Sequence, residues 1–120
     1  MKHAYIRIER DERAAQERIR QDFLKAVHSG EEQGAHFSFQ SPAALFRVLT
    51  PKRWELIEKL QFAGPTSARA LARLLNRDIH RVHDDARALI EFGLIEKTDE
   101  GKLMAPFGRI HAEFEMAAAA

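Results

Sequence analysis

Residues 66–96 constrain the fold more than any other stretch of this chain. They read TSARALARLLNRDIHRVHDDARALIEFGLIE, and only Asn76, Arg77 and Asp78 separate two runs of helical periodicity. Apolar residues recur at helical spacing in both runs, at Ala68, Leu71, Leu74 and Leu75, and then at Ile79, Val82, Ala86, Leu89 and Ile90. Because the joint is so short, the sequence predicts two helices that pack against each other over one shared core.

Residues suited to helix ends flank both runs. Thr66 or Ser67 can cap the first helix, because a hydroxyl oxygen accepts a hydrogen bond from a free N–H of the first turn. Asp78 can cap the second helix in the same way, and Gly93 tolerates the left-handed conformation that ends many helices. The pattern therefore predicts a second helix over residues 78–92.

Two further helices are predicted upstream. Ser41-Pro42 and Thr50-Pro51 each place a capping hydroxyl before a proline, and proline suits the first helical position because its missing N–H costs nothing there. These pairs predict helices over 42–49 and 51–62. Trp54, on the second of them, is expected to lie in the core.

The remaining segments alternate in polarity or contain turn residues. Asp99-Glu100-Gly101 lies between two short apolar runs and predicts a hairpin. HAYIRIE at the start and RIHAEFEM near the end alternate as half-buried strands do, and AHFSFQ is a candidate short strand. Residues 11–28 instead have helical periodicity, with an apolar stripe at Ala15, Ile19, Phe23 and Ala26 or Val27.

These elements predict an α+β protein that is mainly α. We expect an N-terminal strand–helix arm over residues 1–36, usable for dimerisation or partner binding. Residues 37–116 then form the main domain, and residues 117–120 form a frayed tail.

Composition excludes several function classes. The 120 residues contain no cysteine and carry a formal net charge of +1, so thiolate chemistry and binding by bulk positive charge are both ruled out. No apolar run suggests a signal peptide or a membrane span, so we expect a cytoplasmic protein. His80 and His83 have a spacing that can serve a metal, but no third ligand is evident. The sequence predicts no enzyme, no cofactor and no metal.

The order of helix, tight turn, helix and glycine-tipped hairpin is that of a winged helix-turn-helix, which offers its second helix to the major groove of DNA. Arg, His and Asp side chains can all pair with base edges, and hydroxyls or Lys can hold phosphates. Asp85 is expected to pair with Arg81 or Arg87, while Arg69, Arg73 and Arg77 suit either a solvated face or phosphate contact. The candidate DNA-binding residues are Thr66, Ser67, Arg77, His80, Arg81, His83, Asp84, Arg87, Lys97 and Lys102.

The stretch LARLLNRDIHRVHDDARALIEFGLIEK resembles the recognition core of MarR-like and ArsR-like winged-helix regulators, in which a Leu-Ala pair, a short turn and a Leu-x-x-x-Gly-Leu-Ile ending recur. With FSFQSPAALFRVLTPKRWELIEKL before it and GKLMAPFGRIHAEFEM after it, the chain is similar to small transcriptional regulators, some of them antitoxin-like. The resemblance covers about residues 37–116. It implies a double-stranded DNA partner, a homodimer and a repressor, with a small toxin protein as a further partner in the antitoxin case.

A second function class stays open, because a winged helix also serves as a protein-interaction module without DNA binding. The Arg and His residues on the outer face of the second helix favour DNA. The strands at the two ends of the chain would have unpaired backbone N–H and C=O groups along their edges. We expect these strands to pair either with each other or across a dimer. Helix 11–28 is expected to bury its stripe against a second copy or against a toxin.

Overall fold

The computed structural model describes residues 2–29 and 34–118, and these form an α+β protein. The helices are α1 (Glu12–Ser29), α2 (Pro42–Val48), α3 (Pro51–Ala63), α4 (Ala68–Leu75) and α5 (Ile79–Phe92). The strands are β1 (His3–Ile8), β2 (Ala35–Phe39), β3 (Glu96–Lys97), β4 (Leu103–Met104) and β5 (Arg109–Ala112). The predicted α+β class is confirmed.

The described residues divide into two compact units. One comprises the residues up to Arg47 together with those from Arg109 onward, and the other is Val48–Gly108. The predicted boundary at 36/37 falls inside β2, which pairs with β1. Of the predicted tail, residues 117 and 118 are exposed and irregular, whereas Ala119 and Ala120 lie outside the described residues.

The first unit is built on a three-stranded sheet in the order β2-β1-β5, with both pairings parallel. Ile6 of β1 lies between Phe37 of β2 and Ala112 of β5. Ile6 is buried, and so is Ala4 on the same face of the sheet. The strands at the two ends of the chain therefore pair with each other, although β5 is shorter than the alternation of RIHAEFEM suggests.

The opposite face of this sheet is polar, and α1 attaches to it through ion pairs. Asp22 of α1 lies 3.3 Å from the Arg7 guanidinium and 3.4 Å from Nδ1 of His36, and Arg18 pairs with Glu9. Burial lowers the pKa of His36, and the nearby Asp22 carboxylate opposes that shift.

The predicted apolar stripe of α1 points away from these ion pairs. Ile19, Phe23 and Val27 are 59%, 67% and 62% exposed, whereas the side chains of Ala15 and Ala26 lie outside the described ones. The predicted apolar stripe is therefore present on α1, but among the described residues its side chains are exposed to solvent.

The second unit packs α3, α4 and α5 around one apolar core. Its largest fully buried side chains come from all three helices and from the segments just before α3 and after α5; they are Leu49, Leu56, Ile57, Leu60, Leu71, Val82, Leu89, Leu94 and Ile95. Trp54 is half-buried. One predicted core position is wrong: Leu74 is 52% exposed and Ala72 is buried. A helix turns about 100° per residue, so Leu74 lies roughly 110° from the arc centred on Leu71, Ala72 and Leu75.

The predicted helix ends of the second unit are confirmed by their hydrogen bonds. Thr50 Oγ1 accepts from the Arg53 N–H at 3.3 Å, and Ser67 Oγ accepts from the Ala70 N–H at 3.1 Å. Asn76 has φ 53°, the left-handed conformation that reverses the chain after α4. Gly93 ends α5 with φ 100°, as predicted.

Candidate nucleic-acid interface

The outer side of α5 gathers five of the candidate residues. His80, Arg81, His83, Asp84 and Arg87 are all exposed. At about 100° per residue they span an arc of roughly 160°, opposite the side that faces the core. The predicted exposure of these five residues is confirmed. It could be predicted because the apolar positions of α5 occupy the opposite side of the helix and leave this arc exposed to solvent.

The start of α5 is fixed by a short turn. Asp78 Oδ2 accepts from the Arg81 N–H at 3.3 Å, which caps the helix. The Arg77 N–H donates to the Ala72 carbonyl at 3.0 Å, so the turn closes directly onto α4. These local bonds hold the first turn of α5 and its exposed side chains against α4.

Asp85 ties α5 to two other parts of the second unit. Its Oδ1 accepts from Arg53 Nε at 3.1 Å and its Oδ2 accepts from Arg77 Nη2 at 2.7 Å. Arg53 also donates through Nη1 to the Val48 carbonyl at 2.8 Å. We call Arg53, Asp85 and Arg77 the carboxylate clamp. The predicted pairing of Asp85 with Arg81 or Arg87 is wrong, because Asp85 faces α3 and the turn.

Arg77 is the candidate whose side chain is least available for DNA. It is 10% exposed and is held by the carboxylate clamp. Its Nη1 is buried and has no hydrogen-bond partner among the described residues. Arg77 therefore positions the start of α5. Its guanidinium also leaves a buried positive charge at that end of the helix, because Nη1 has no partner among the described residues.

The hydroxyls of Thr66 and Ser67 are both used inside the unit. Thr66 donates its hydroxyl to the Gly64 carbonyl at 2.7 Å. Its backbone pairs with Leu103 of β4 through N–H to carbonyl bonds of 2.9 and 2.8 Å. Ser67 caps α4 and is exposed. Of the two, Ser67 is the one open to an incoming phosphate.

The hairpin between β3 and β4 carries the last two candidates. Lys97 pairs with Leu103 in the antiparallel register, and Lys102 directly follows Gly101, which has φ 84° at the tip. Both lysines are exposed. Exposed acids flank them at Glu96, Asp99 and Glu100. The hairpin thus offers two separate cationic points rather than a continuous positive strip.

A comparison with known protein families adds to this geometry. The family model HVO_A0114 matches residues 48–112, more than half of the 120 residues. The chain belongs to the HVO_A0114 family. No curated protein and no solved structure matches it.

The HVO_A0114 match covers every candidate residue, from Thr66 to Lys102. It begins at Val48, the first residue of the second unit, and runs through β5. The HVO_A0114 region therefore contains the α4–α5 pair, the hairpin and the carboxylate clamp together.

Across residues 2–29 and 34–118, no three His, Asp or Glu side chains converge as a metal site requires. Among the helices in those same ranges, none has the length and apolar composition needed to cross a membrane.

The sequence missed two residues that adjoin the exposed face of α5. Arg53 forms the carboxylate clamp from α3, and Lys52 shares a groove with Arg81 and Asp84. Both lie in the first turn of α3, far from α5 in sequence. The Thr50-Pro51 pair is the one sequence signal that bears on them, because it places Lys52 and Arg53 in the first turn of α3.

Proposed function

We propose that this chain is a sequence-specific DNA-binding transcription regulator. In this proposal α4 and α5 form a helix-turn-helix, α5 enters the major groove, and the β3–β4 hairpin is the wing. The observation that carries the proposal is the exposed arc of Arg, His and Asp side chains on α5, positioned by the Asp78 cap and the carboxylate clamp.

The remaining details of this proposal rest on sequence resemblance. The likeness to MarR-like and ArsR-like regulators favours a cytoplasmic homodimer that acts as a repressor. In the antitoxin form, the same protein binds its operator through α5 and a small toxin protein through another surface. A toxin-like reading frame beside its gene would support that form, and a transporter gene would favour a ligand-sensing regulator.

The proposal is tested by selecting duplexes from a random-sequence library with the full-length protein. A sequence-specific regulator should enrich one motif, and it should bind that duplex about 10³-fold or more tightly than a scrambled duplex at the same salt concentration. Enrichment of no motif, together with equal affinity for both duplexes, would contradict sequence-specific recognition.

Arg81 is the strongest candidate for reading a base, because it is exposed in the first turn of α5 and its guanidinium can pair bidentately with guanine. Replacing Arg81 by Ala should cost about 1–3 kcal/mol on the selected duplex and much less on the scrambled one. Fluorescence titration of both duplexes measures the difference.

Arg10→Ala is the matched control for Arg81→Ala, since it removes the same charge from an exposed position in the first unit. It should leave both affinities nearly unchanged. Equal losses on the selected and scrambled duplexes after Arg81→Ala would instead assign Arg81 to a phosphate.

Lys97 and Lys102 should contact the DNA backbone. Each Ala replacement should weaken binding to all duplexes and reduce the slope of log affinity against log salt by roughly one unit. The measurement is a salt series on the selected duplex, with Lys2→Ala as the control because Lys2 is exposed in the first unit. An unchanged slope in both hairpin variants would remove the hairpin from the interface.

The alternative function is a winged-helix module that binds protein rather than DNA. One observation favours it: Phe62 is 90% exposed and shares a groove with Leu74, Glu55 and Glu58. Exposed apolar residues grouped in this way are typical of protein contacts. Under this alternative, selection from the random-sequence library should enrich no DNA motif, whereas enrichment of one motif would contradict it.

A further inference from the structure

A groove runs beside the exposed face of α5 and has not been assigned a ligand. It is lined by residues of the first turn of α3 and of the start of α5, namely Thr50, Pro51, Lys52, Arg77, Arg81, Asp84 and Asp85. It is an open surface groove with a volume of about 560 Å³. Arg81 and Asp84 belong both to this groove and to the proposed reading face.

The charges at the groove favour an anion. Three cations, Lys52, Arg77 and Arg81, line it against two carboxylates, Asp84 and Asp85. Asp85 is already shared by Arg77 and Arg53, so the lining keeps an excess of one positive charge. The Arg77 side chain is 10% exposed, and its buried Nη1 has no partner in the part of the chain that the structure describes. An unsatisfied buried guanidinium donor is costly, and a nearby negative charge offsets part of that cost.

The first turn of α3 supplies a second reason. The N–H groups at the start of a helix lack intrahelical partners and attract anions. Pro51 has no N–H, and the Arg53 N–H donates to Thr50 Oγ1 at 3.3 Å. The N–H of Lys52 is therefore the donor that this first turn leaves for a ligand, on the same residue as the Lys52 ammonium group.

We propose that the groove seats one phosphate of the DNA backbone, held by the Lys52 ammonium and the Lys52 N–H. The proposal rests on the proposed DNA-binding function. A strand contacted by Arg81 and Asp84 passes the groove, because the same two side chains line it. Lys52 takes the phosphate, Arg77 supplies positive charge beneath it, and Arg81 stays free to read a base.

The test compares Lys52→Ala with Lys59→Ala in the full-length protein. Both remove one ammonium from α3, but Lys59 lies in the groove with Phe62 and Glu55. Titrations of the selected duplex over a salt series should give a slope reduced by roughly one unit for Lys52→Ala and the wild-type slope for Lys59→Ala. Equal melting temperatures show that both variants fold.

A second measurement identifies the phosphate. The duplex is prepared with a single uncharged methylphosphonate at each linkage in turn, and wild-type protein should lose affinity at every contacted linkage. At one of those linkages, the Lys52→Ala variant should lose no affinity when the methylphosphonate is introduced. At the other contacted linkages it should lose as much affinity as the wild-type protein does.

The outcomes separate this inference from the proposed function. If the wild type binds the duplex but Lys52→Ala keeps the wild-type slope and sensitivity at every linkage, the phosphate site is wrong and DNA binding stands. If the wild-type protein binds no duplex, both the proposed function and the phosphate site are overturned.

Discussion

Replacing Asp85 by Ala should lower the free energy of unfolding of the second unit by about 3 kcal/mol, because it leaves the Arg77 and Arg53 guanidinium groups without their shared carboxylate. Both cations are more than three-quarters buried, with side-chain exposures of 10% and 22%. Urea unfolding monitored by the fluorescence of Trp54, the one tryptophan of the chain, measures the change.

Asp84→Ala is the matched control, since Asp84 is the adjacent residue of α5 and is exposed. It should change stability by about 0.5 kcal/mol or less, as surface substitutions usually do. A similar small change for Asp85→Ala would mean that solvent screens the carboxylate clamp and that α5 is positioned by its apolar core alone.

The carboxylate clamp illustrates what sequence patterns do not predict. Arg53 and Asp85 lie 32 positions apart, and nothing in either helix indicates that its partner lies on the other. Arg81 and Arg87 were proposed for Asp85 because they are close to it on the same helix, although only Arg81, four positions away, has a spacing that brings two helical side chains together. The true pairing depends on how α3 packs against α5, and that is a tertiary property.

The helix ends could be predicted from the sequence because the residues that set them act locally. Thr50, Ser67, Asp78 and Gly93 act on N–H groups or backbone angles within a few residues of themselves. Their effect does not require knowledge of the rest of the fold. The same locality explains why the exposed arc of α5 was located correctly.

The first unit shows the limit of strand prediction. Alternation identified β1 and the start of β5 but left open whether they pair with each other or across a dimer. In the chain β1 is the central strand, with β2 and β5 on either side of it and parallel to it. Strand order depends on how α1 crosses between β1 and β2, which alternation does not encode.

The orientation of α1 was not predictable either. The stripe suggested a buried face, yet the helix meets the sheet through Asp22 and Arg18 and leaves Ile19, Phe23 and Val27 exposed. The three exposed side chains, with Leu24 at 40% exposure, offer apolar area on the order of 400 Å² per chain, which is the size of the largest apolar patch on a typical monomer, a patch that is often functional.

A second copy is the occupant that suits this stripe. Ile19 and Phe23 lie four positions apart on one ridge, so a two-fold axis between them brings Ile19 of each copy against Phe23 of the other. Two such surfaces bury roughly 800 Å² of apolar area, so their polar rims must supply the rest of the roughly 1,200 Å² that the smallest specific interfaces bury. If the proposed function holds, a dimer would also bring a second copy of α5 to the other half of a DNA site.

We therefore expect the full-length protein to be a dimer, and we expect Ile19→Ser with Phe23→Ser to weaken dimerisation by about 100-fold, since buried anchor side chains dominate such interfaces. Light scattering and sedimentation over a concentration series measure it. Deleting residues 1–35 is a poorer test, because it removes β1 from the middle of the sheet. Met116→Ser is the control, since it removes an apolar side chain that is 74% exposed and lies outside α1. A wild-type protein that stays monomeric throughout the concentration series would contradict self-association.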